Sequence, residues 1–208
     1  MTQVNAPPGP DAAWVVLETA LAPVELAAFC RNLECLYRVN PFLEFASWQQ
    51  SSPDRFRAEV LNHSNQQEGV LEGVLTRTSD LGFRVDFASG LKRRTCFEIQ
   101  PRPGGSSLTI TDEYSAAAGS ALPIEAEVDR SLHAWGVALK AYLERDRRWG
   151  RFPLYRWYAR RVWLPMKPAA RRITFLILVV ALADIALVAL GLALYWIESV
   201  ISLPRPPR

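Results

Sequence analysis

Apolar and polar residues alternate along much of residues 12–114, a period of two that marks strands with one wet face. In Arg55–Asn62, Phe56, Ala58 and Val60 are separated by Arg57 and Glu59. In Gly82–Ser89, Phe83, Val85 and Phe87 enclose Arg84 and Asp86, and in Ser107–Tyr114, Leu108 and Ile110 alternate with Thr109 and Thr111. Trp14–Leu21, Leu43–Gln50, Gln67–Thr78 and Lys92–Gln100 supply four further strands. Turn-forming stretches, Ser51–Asp54, Asn62–Asn65, Ser79–Gly82 and Pro101–Gly105, fall between them. Short antiparallel connections are therefore expected.

Twice the period becomes helical. Pro23–Val39 opens on a proline, which suits a first helical position, and ends before Pro41; Asn32 is expected to split it into two short helices. Between Pro123 and Trp149, the residues Ile124, Val128, Leu132, Trp135, Leu139 and Leu143 recur at steps of three and four. The predicted order is one strand, two short helices, about six strands and a long helix. That is an α+β domain with a curved antiparallel sheet of about seven strands. No internal repeat is visible.

A third pattern has no period at all. Ile173–Ile197 carries a single charged residue, Asp184, in an otherwise apolar run. As a helix it is about 37 Å long, enough to cross a ~30 Å hydrocarbon layer with some tilt. Asp184 costs roughly 2.5–3.5 kcal/mol at the centre of such a span, which the many Leu, Ile, Val and Phe residues offset. One transmembrane helix is expected, with Tyr195 and Trp196 at its far interface.

Charge divides the chain into two unlike regions. The chain of 208 residues has a formal net charge of only +3. Residues 1–150 nevertheless hold 15 basic and 19 acidic side chains, and residues 151–208 hold 9 and 2. Arg145–Arg172 alone has ten basic residues and one acidic one. The positive-inside rule then puts the N-terminal domain in the cytoplasm of a single-pass, tail-anchored membrane protein. Arg outnumbers Lys 21 to 3, a usage of GC-rich bacterial genomes, so the membrane is expected to be a bacterial inner membrane. The expected organisation is a disordered lead-in over 1–11, a domain over 12–149, a linker over 150–172, the span over 173–197 and a short tail over 198–208.

The linker interleaves Tyr155, Trp157 and Trp163 with Arg156, Arg160 and Arg161. Beside a span, that mixture reads as an interfacial helix lying among anionic headgroups. Stacking on nucleic acid would use the same residue types, but lipid is already present at this position, so no nucleic-acid partner is expected.

Little in the chain points to catalysis. Cys30, Cys35 and Cys96 form no CxxC pair and read as free thiols. His63 and His133 have no ligand spacing, so no metal is expected. Phosphate-loop, dinucleotide and G-x-S-x-G motifs are absent, and no cofactor is expected. Tyr114 beside Asp112 and Glu113 is the one candidate for acid–base work, read first as a solvated strand-end pair.

Four stretches carry a resemblance. They are Leu17–Glu25, running from strand into helix; Val39-Asn40-Pro41-Phe42; Phe97-Glu98-Ile99-Gln100-Pro101; and Thr109-Ile110-Thr111-Asp112-Glu113-Tyr114. With the element order, they resemble the START/birch-allergen-like (SRPBCC) superfamily, in its polyketide cyclase/coenzyme Q-binding branch. The resemblance implies a helix-grip fold, a curved sheet around a long C-terminal helix, with an apolar cavity between them.

The residues expected to line that cavity are Phe56, Val60, Phe83, Val85, Phe87, Leu108, Ile110, Leu132, Trp135 and Leu139. A small hydrophobic ligand, lipid, isoprenoid or quinone-like, is the expected occupant, with the interfacial helix holding the cavity mouth at the headgroups. The alternatives are a cyclase/dehydratase-type enzyme and a structural subunit of a membrane complex. Within the span, Ile177, Ala181, Asp184, Val188, Gly191 and Tyr195 share one helix stripe. Asp184 and Gly191 are expected to face another helix, from a second copy or a membrane partner.

Overall fold

The computed structural model describes residues 12–90, 92–114 and 123–201. The expected lead-in over 1–11 and most of the expected tail lie outside them. In chain order the elements are β1 (Ala12–Thr19), α1 (Pro23–Cys30), α2 (Leu33–Arg38), β2 (Leu43–Ser52), β3 (Arg55–Asn62), β4 (Gln67–Arg77), β5 (Gly82–Phe87), β6 (Lys92–Arg102) and β7 (Gly105–Tyr114). Then follow α3 (Pro123–Trp149), α4 (Pro153–Tyr158), one π-helical turn (Ala159–Trp163) and α5 (Pro168–Ile201). The fold class is as expected from the pattern: α+β, with seven antiparallel strands and a long helix.

The sheet order is β1-β7-β6-β5-β4-β3-β2, every pair antiparallel. Strands β2 to β7 form a meander, while α1 and α2 carry the chain from β1 at one edge to β2 at the other. Helix α1 starts with Pro23 in its first turn, and the Glu25 carboxylate accepts the Ala22 N–H at 3.2 Å. Asn32 does divide the helical stretch: its side chain accepts the Cys35 N–H at 3.2 Å and caps α2.

Register sets the two faces of the sheet. Phe56 and Ala58 on β3, Phe83 and Val85 on β5, Phe97 and Ile99 on β6, and Leu108 and Ile110 on β7 are buried. Against them lie Leu132, Trp135, Leu139, Tyr142 and Leu143 of α3, also buried. Where α3 crosses β1, a glycine is required by space: a Cβ on Gly136 would stand 2.9 Å from Val15 Cγ2. The absent side chain lets the helix sit close on the edge strand.

Two compact units divide the chain, Met1–Met166 and Lys167–Arg208. The first therefore includes α4 and the π-helical turn. Leu164 is buried with the core, and its N–H bonds Ala159 O at 3.0 Å, the i to i−5 pattern of a π-turn. Trp163 stacks on Tyr142 with centroids 6.0 Å apart, and Arg145 lies over its ring at 4.7 Å. The second unit is α5. Its stretch Ala169–Glu198 is 30 residues long, with a mean hydropathy of 2.8, and is long and apolar enough to cross a membrane.

Candidate functional site

A cavity of about 450 Å³ opens between the sheet and the N-terminal half of α3. Its apolar wall is Leu43, Val60, Val70, Leu71, Phe87, Leu132 and Trp135. Its volume lies within the ~300–1,000 Å³ range of small-molecule sites. Four of the ten residues expected to line a cavity are on this wall: Val60, Phe87, Leu132 and Trp135. The other six, Phe56, Phe83, Val85, Leu108, Ile110 and Leu139, are packed into the core behind it. Trp135 is the pivot between wall and core. Its indole N–H donates to Leu36 O at 3.2 Å, and its ring stacks on Tyr37, centroids 5.4 Å apart.

Polar residues, including Asn40, Asn62, Gln67 and Glu68, also line the cavity, and one polar cluster on its wall is centred on Asp112. The expectation that Asp112 is solvated at a strand end is overturned: it is only 2% exposed. Asp112 continues the inward phase of Leu108 and Ile110, whereas Glu113 turns to the other face. Thr95 Oγ1 donates to one carboxylate oxygen at 2.5 Å, and Lys92 Nζ to the other at 2.5 Å. Tyr114 Oη lies 3.4 Å from that second oxygen.

This arrangement depends on an irregularity in β6. Lys92 and Thr95 are three apart, which in a regular strand would put them on opposite faces. The register shifts between Lys92 and Arg94, so one extra residue, Arg93, is bulged out. The bulge brings Lys92 onto the face of Thr95, where both reach Asp112. Lys92 Nζ also stands 6.0 Å from the centre of the Trp135 ring.

Tyr37 stands beside this cluster. It is 2% exposed and lines the cavity, and its hydroxyl oxygen is wholly covered by protein. Burial first, and the Asp112 carboxylate second, push its phenol up, while a hydrogen bond with the Thr95 side chain pulls it down. Tyr37, Lys92 and Thr95 had no place in the sequence reading of the site. Asp112 alone had a signal in the sequence, its phase along β7.

The linker residues are placed as follows. Arg156, Trp157, Arg160 and Arg161 are exposed, Tyr155 is half-buried, and Trp163 is half-buried on Tyr142. Trp149, Phe152, Leu154 and Tyr158 add to the exposed apolar surface there. This corrects one expectation. The linker packs at Tyr142 and Arg145, about 10–15 Å along α3 from Trp135 at ~1.5 Å per residue. None of the residues that line the cavity comes from it. Instead it adjoins a polar groove of about 940 Å³ that includes Arg102, Lys140, Arg147, Arg148 and Arg151 with Glu18 and Glu144, Glu18 being paired to Arg102 at 2.6 Å.

His63 bonds Glu44 at 3.0 Å, and His133 is exposed. Among the described residues, no three His, Cys, Asp or Glu side chains stand together as a metal site. On α5, Asp184 and Gly191 are exposed, and a Cβ on Gly191 would meet nothing within 4 Å.

No protein-family model matches the chain, and no curated protein does. Solved structures do. A START superfamily protein from Mycobacterium smegmatis is 14% identical and aligns with a TM-score of 0.54, over 64% of this chain and 97% of that one. A second Mycobacterium smegmatis protein is 12% identical over 64% and 91%, with a TM-score of 0.51. A Thermobifida fusca protein is 14% identical over 65% and 94%, with a TM-score of 0.50. Sheet and long helix thus have the helix-grip fold of the START superfamily.

Proposed function

We propose that this chain is a membrane-tethered module that binds or transfers a small hydrophobic ligand of lipid, isoprenoid or quinone-like character. The observation that carries the reading is the cavity between sheet and α3, apolar over most of its wall, with Tyr37, Lys92 and Asp112 among its polar lining. Each methylene buried there contributes about 0.8 kcal/mol to uptake. Fold likeness to START-superfamily structures is consistent with such a cavity.

Tethering is supported by α5, whose apolar stretch suits a single span with the domain on the cytoplasmic side. Exposed Trp149, Phe152, Leu154 and Trp157, together with the excess of cations over Glu18 and Glu144 in the neighbouring groove, favour contact with anionic membrane lipids.

Extraction of the full chain in mild detergent, followed by native mass spectrometry, tests the ligand reading. A bound small apolar molecule is expected, and Val60→Glu is expected to lose it while still melting cooperatively, since a further negative charge on a wall that already holds Glu68 and Asp112 is costly to desolvate. A chain that carries no such molecule and takes up no neutral dye such as Nile red would overturn it.

A second reading, a cyclase/dehydratase-type enzyme, is favoured by one observation: a buried carboxylate with a lysine and two tyrosines about a cavity. Turnover of a polyketide-like ketone that Asp112→Asn abolishes would select it over simple binding.

A further inference from the structure

Cations crowd the groove that runs between the C-terminal half of α3, the end of β1 and the β6–β7 turn. Arg102, Lys140, Arg147, Arg148 and Arg151 line it, against two carboxylates, Glu18 and Glu144. Arg102 takes up Glu18 at 2.6 Å, and its Nε donates to Ser107 Oγ at 3.3 Å, so this guanidinium is held in place. Arg147 donates to Ala20 O at 3.4 Å. Lys140, Arg147, Arg148 and Arg151 form no ion pair among the described residues. Along the helix and just past its end these four follow steps of three and four, with Glu144 among them, and like charges at such steps repel. Cations in a last turn favour the helix dipole, which accounts for Arg147 and Arg148. It does not account for Lys140, well before that turn, or for Arg102, which comes from β6.

Phosphate is the anion that such a groove accepts best, because guanidinium forks match its oxygens in pairs through strong, charge-assisted bonds. Five cations against two carboxylates leave three positive charges, more than a singly charged headgroup neutralises. The surroundings point to the source of the phosphate. Trp149, Phe152, Leu154 and Trp157 follow Arg148 in the chain and are exposed, with Trp149 and Phe152 packed at 5.9 Å between centroids. A soluble anion has no use for that apolar surface, whereas acyl chains cover it. Resting on the tethering reading, we infer that the groove is a site for one membrane phospholipid whose headgroup carries two negative charges. This goes past general attraction to an anionic surface: the surplus cations discriminate between single headgroups by charge. Lys140, Arg148 and Arg151 hold the phosphate, and the neighbouring aromatic side chains lie among the acyl chains.

The test uses the full chain in a neutral maltoside detergent at about pH 8, where a phosphomonoester is doubly charged. Native mass spectrometry counts bound dihexanoyl phosphatidate, dihexanoyl phosphatidylglycerol and glycerol 3-phosphate. A single phosphatidate per chain is expected, held roughly tenfold more tightly than the singly charged phosphatidylglycerol, and this preference needs no variant. Glycerol 3-phosphate, which lacks the acyl chains, is expected to bind roughly tenfold more weakly than phosphatidate. Lys140→Gln with Arg148→Gln is expected to remove the preference. Arg55→Gln with Arg77→Gln, which lowers the charge equally outside the groove, is expected to keep it. All four side chains are exposed, so both double variants are expected to melt as the wild type does.

Equal affinity for the two lipids, or equal loss in the two double variants, would overturn the inference and leave only general electrostatic attraction. Glycerol 3-phosphate bound as tightly as phosphatidate would overturn it too, making the groove a site for a soluble phosphate. So would a phosphatidate that Val60→Glu displaces and the groove variant does not, since it would then lie in the cavity. Washing membranes that hold the full chain in alkaline carbonate tests the tether by itself. Release into the soluble fraction would remove the tethering reading, and the inference with it; retention of a chain whose groove is unselective would remove the inference alone.

Discussion

Asp112 is the residue whose environment is most demanding, a carboxylate almost wholly enclosed by protein and held by Lys92, Thr95 and Tyr114. Removing one partner of a buried pair leaves the other charge uncompensated, and that is worse than removing both. Lys92→Met is expected to lower stability by about 3 kcal/mol, and Lys92→Met with Asp112→Asn by clearly less, as read from urea melts of the four-member cycle. Additive losses would show that the two side chains do not depend on each other. The thiols make a separate, pH-dependent contribution. Burial pushes Cys35 up to about 11 from an ordinary 9.0, with the Tyr142 hydroxyl pulling it back, and Cys30 is raised in the same direction. The folded chain then keeps a proton that the unfolded chain releases near pH 9. The stability from this source is whole below about pH 9 and is lost as pH rises toward about 11. It amounts to something on the order of 2 kcal/mol for Cys35. Urea midpoints are expected to fall across that window, and less steeply in Cys35→Ala. An identical pH profile in the variant would place the cause elsewhere.

At the scale of elements, close approach matters as much as amphipathic pattern. Helix α3 meets β1 through Gly136, where an added Cβ stands 2.9 Å from a branched methyl of Val15. Gly136→Val is expected to cost about 2–3 kcal/mol by overpacking, and Val15→Ala in the same chain to recover most of it. A thermal melt of the two proteins decides this; no recovery would mean that the helix backbone, and not the Val15 contact, is what fails. The strands and helices themselves were legible because their periods are clean. Phe56, Ala58 and Val60, or Phe83, Val85 and Phe87, alternate without a break, and Leu132, Trp135 and Leu139 keep a helical step. The polar cluster on the cavity wall was not legible, for a physical reason. Its geometry rests on a bulge at Arg93 that reverses the phase of one strand end, and on a tyrosine from α2 that reaches across to β6 and β7. Neither has a local periodic signal. Nor does pattern alone separate a core side chain from a cavity side chain: Val85 and Phe87 share one face, yet only Phe87 reaches the open space.

For the whole molecule, the question is what a carboxylate does in the middle of an apolar helix. Among the described residues of α5, Asp184 is the one charged side chain between Ile173 and Ile197. Placing it in hydrocarbon costs roughly 2.5–3.5 kcal/mol, which so apolar a span absorbs. Insertion therefore does not require a partner, but selection among helix faces does follow. The stripe of Ile177, Ala181, Asp184, Val188, Gly191 and Tyr195 combines the one strong hydrogen-bonding group with the small residues Ala181 and Gly191. Polar groups and small residues both favour helix–helix contact in lipid. We propose association through this stripe, with a second copy or with a membrane partner. An interhelical hydrogen bond in a bilayer averages only about 0.6 kcal/mol, so Asp184 tunes the contact and the small residues allow it. Single cysteines at Val188 and Gly191, crosslinked in membranes, are expected to join more readily than cysteines at Leu182 and Ala186 on the other faces. Asp184→Leu is expected to weaken that preference by roughly threefold, the equivalent of one such bond. Equal crosslinking around the whole helix, unchanged by Asp184→Leu, would mean that α5 serves as a span alone, with the carboxylate facing lipid.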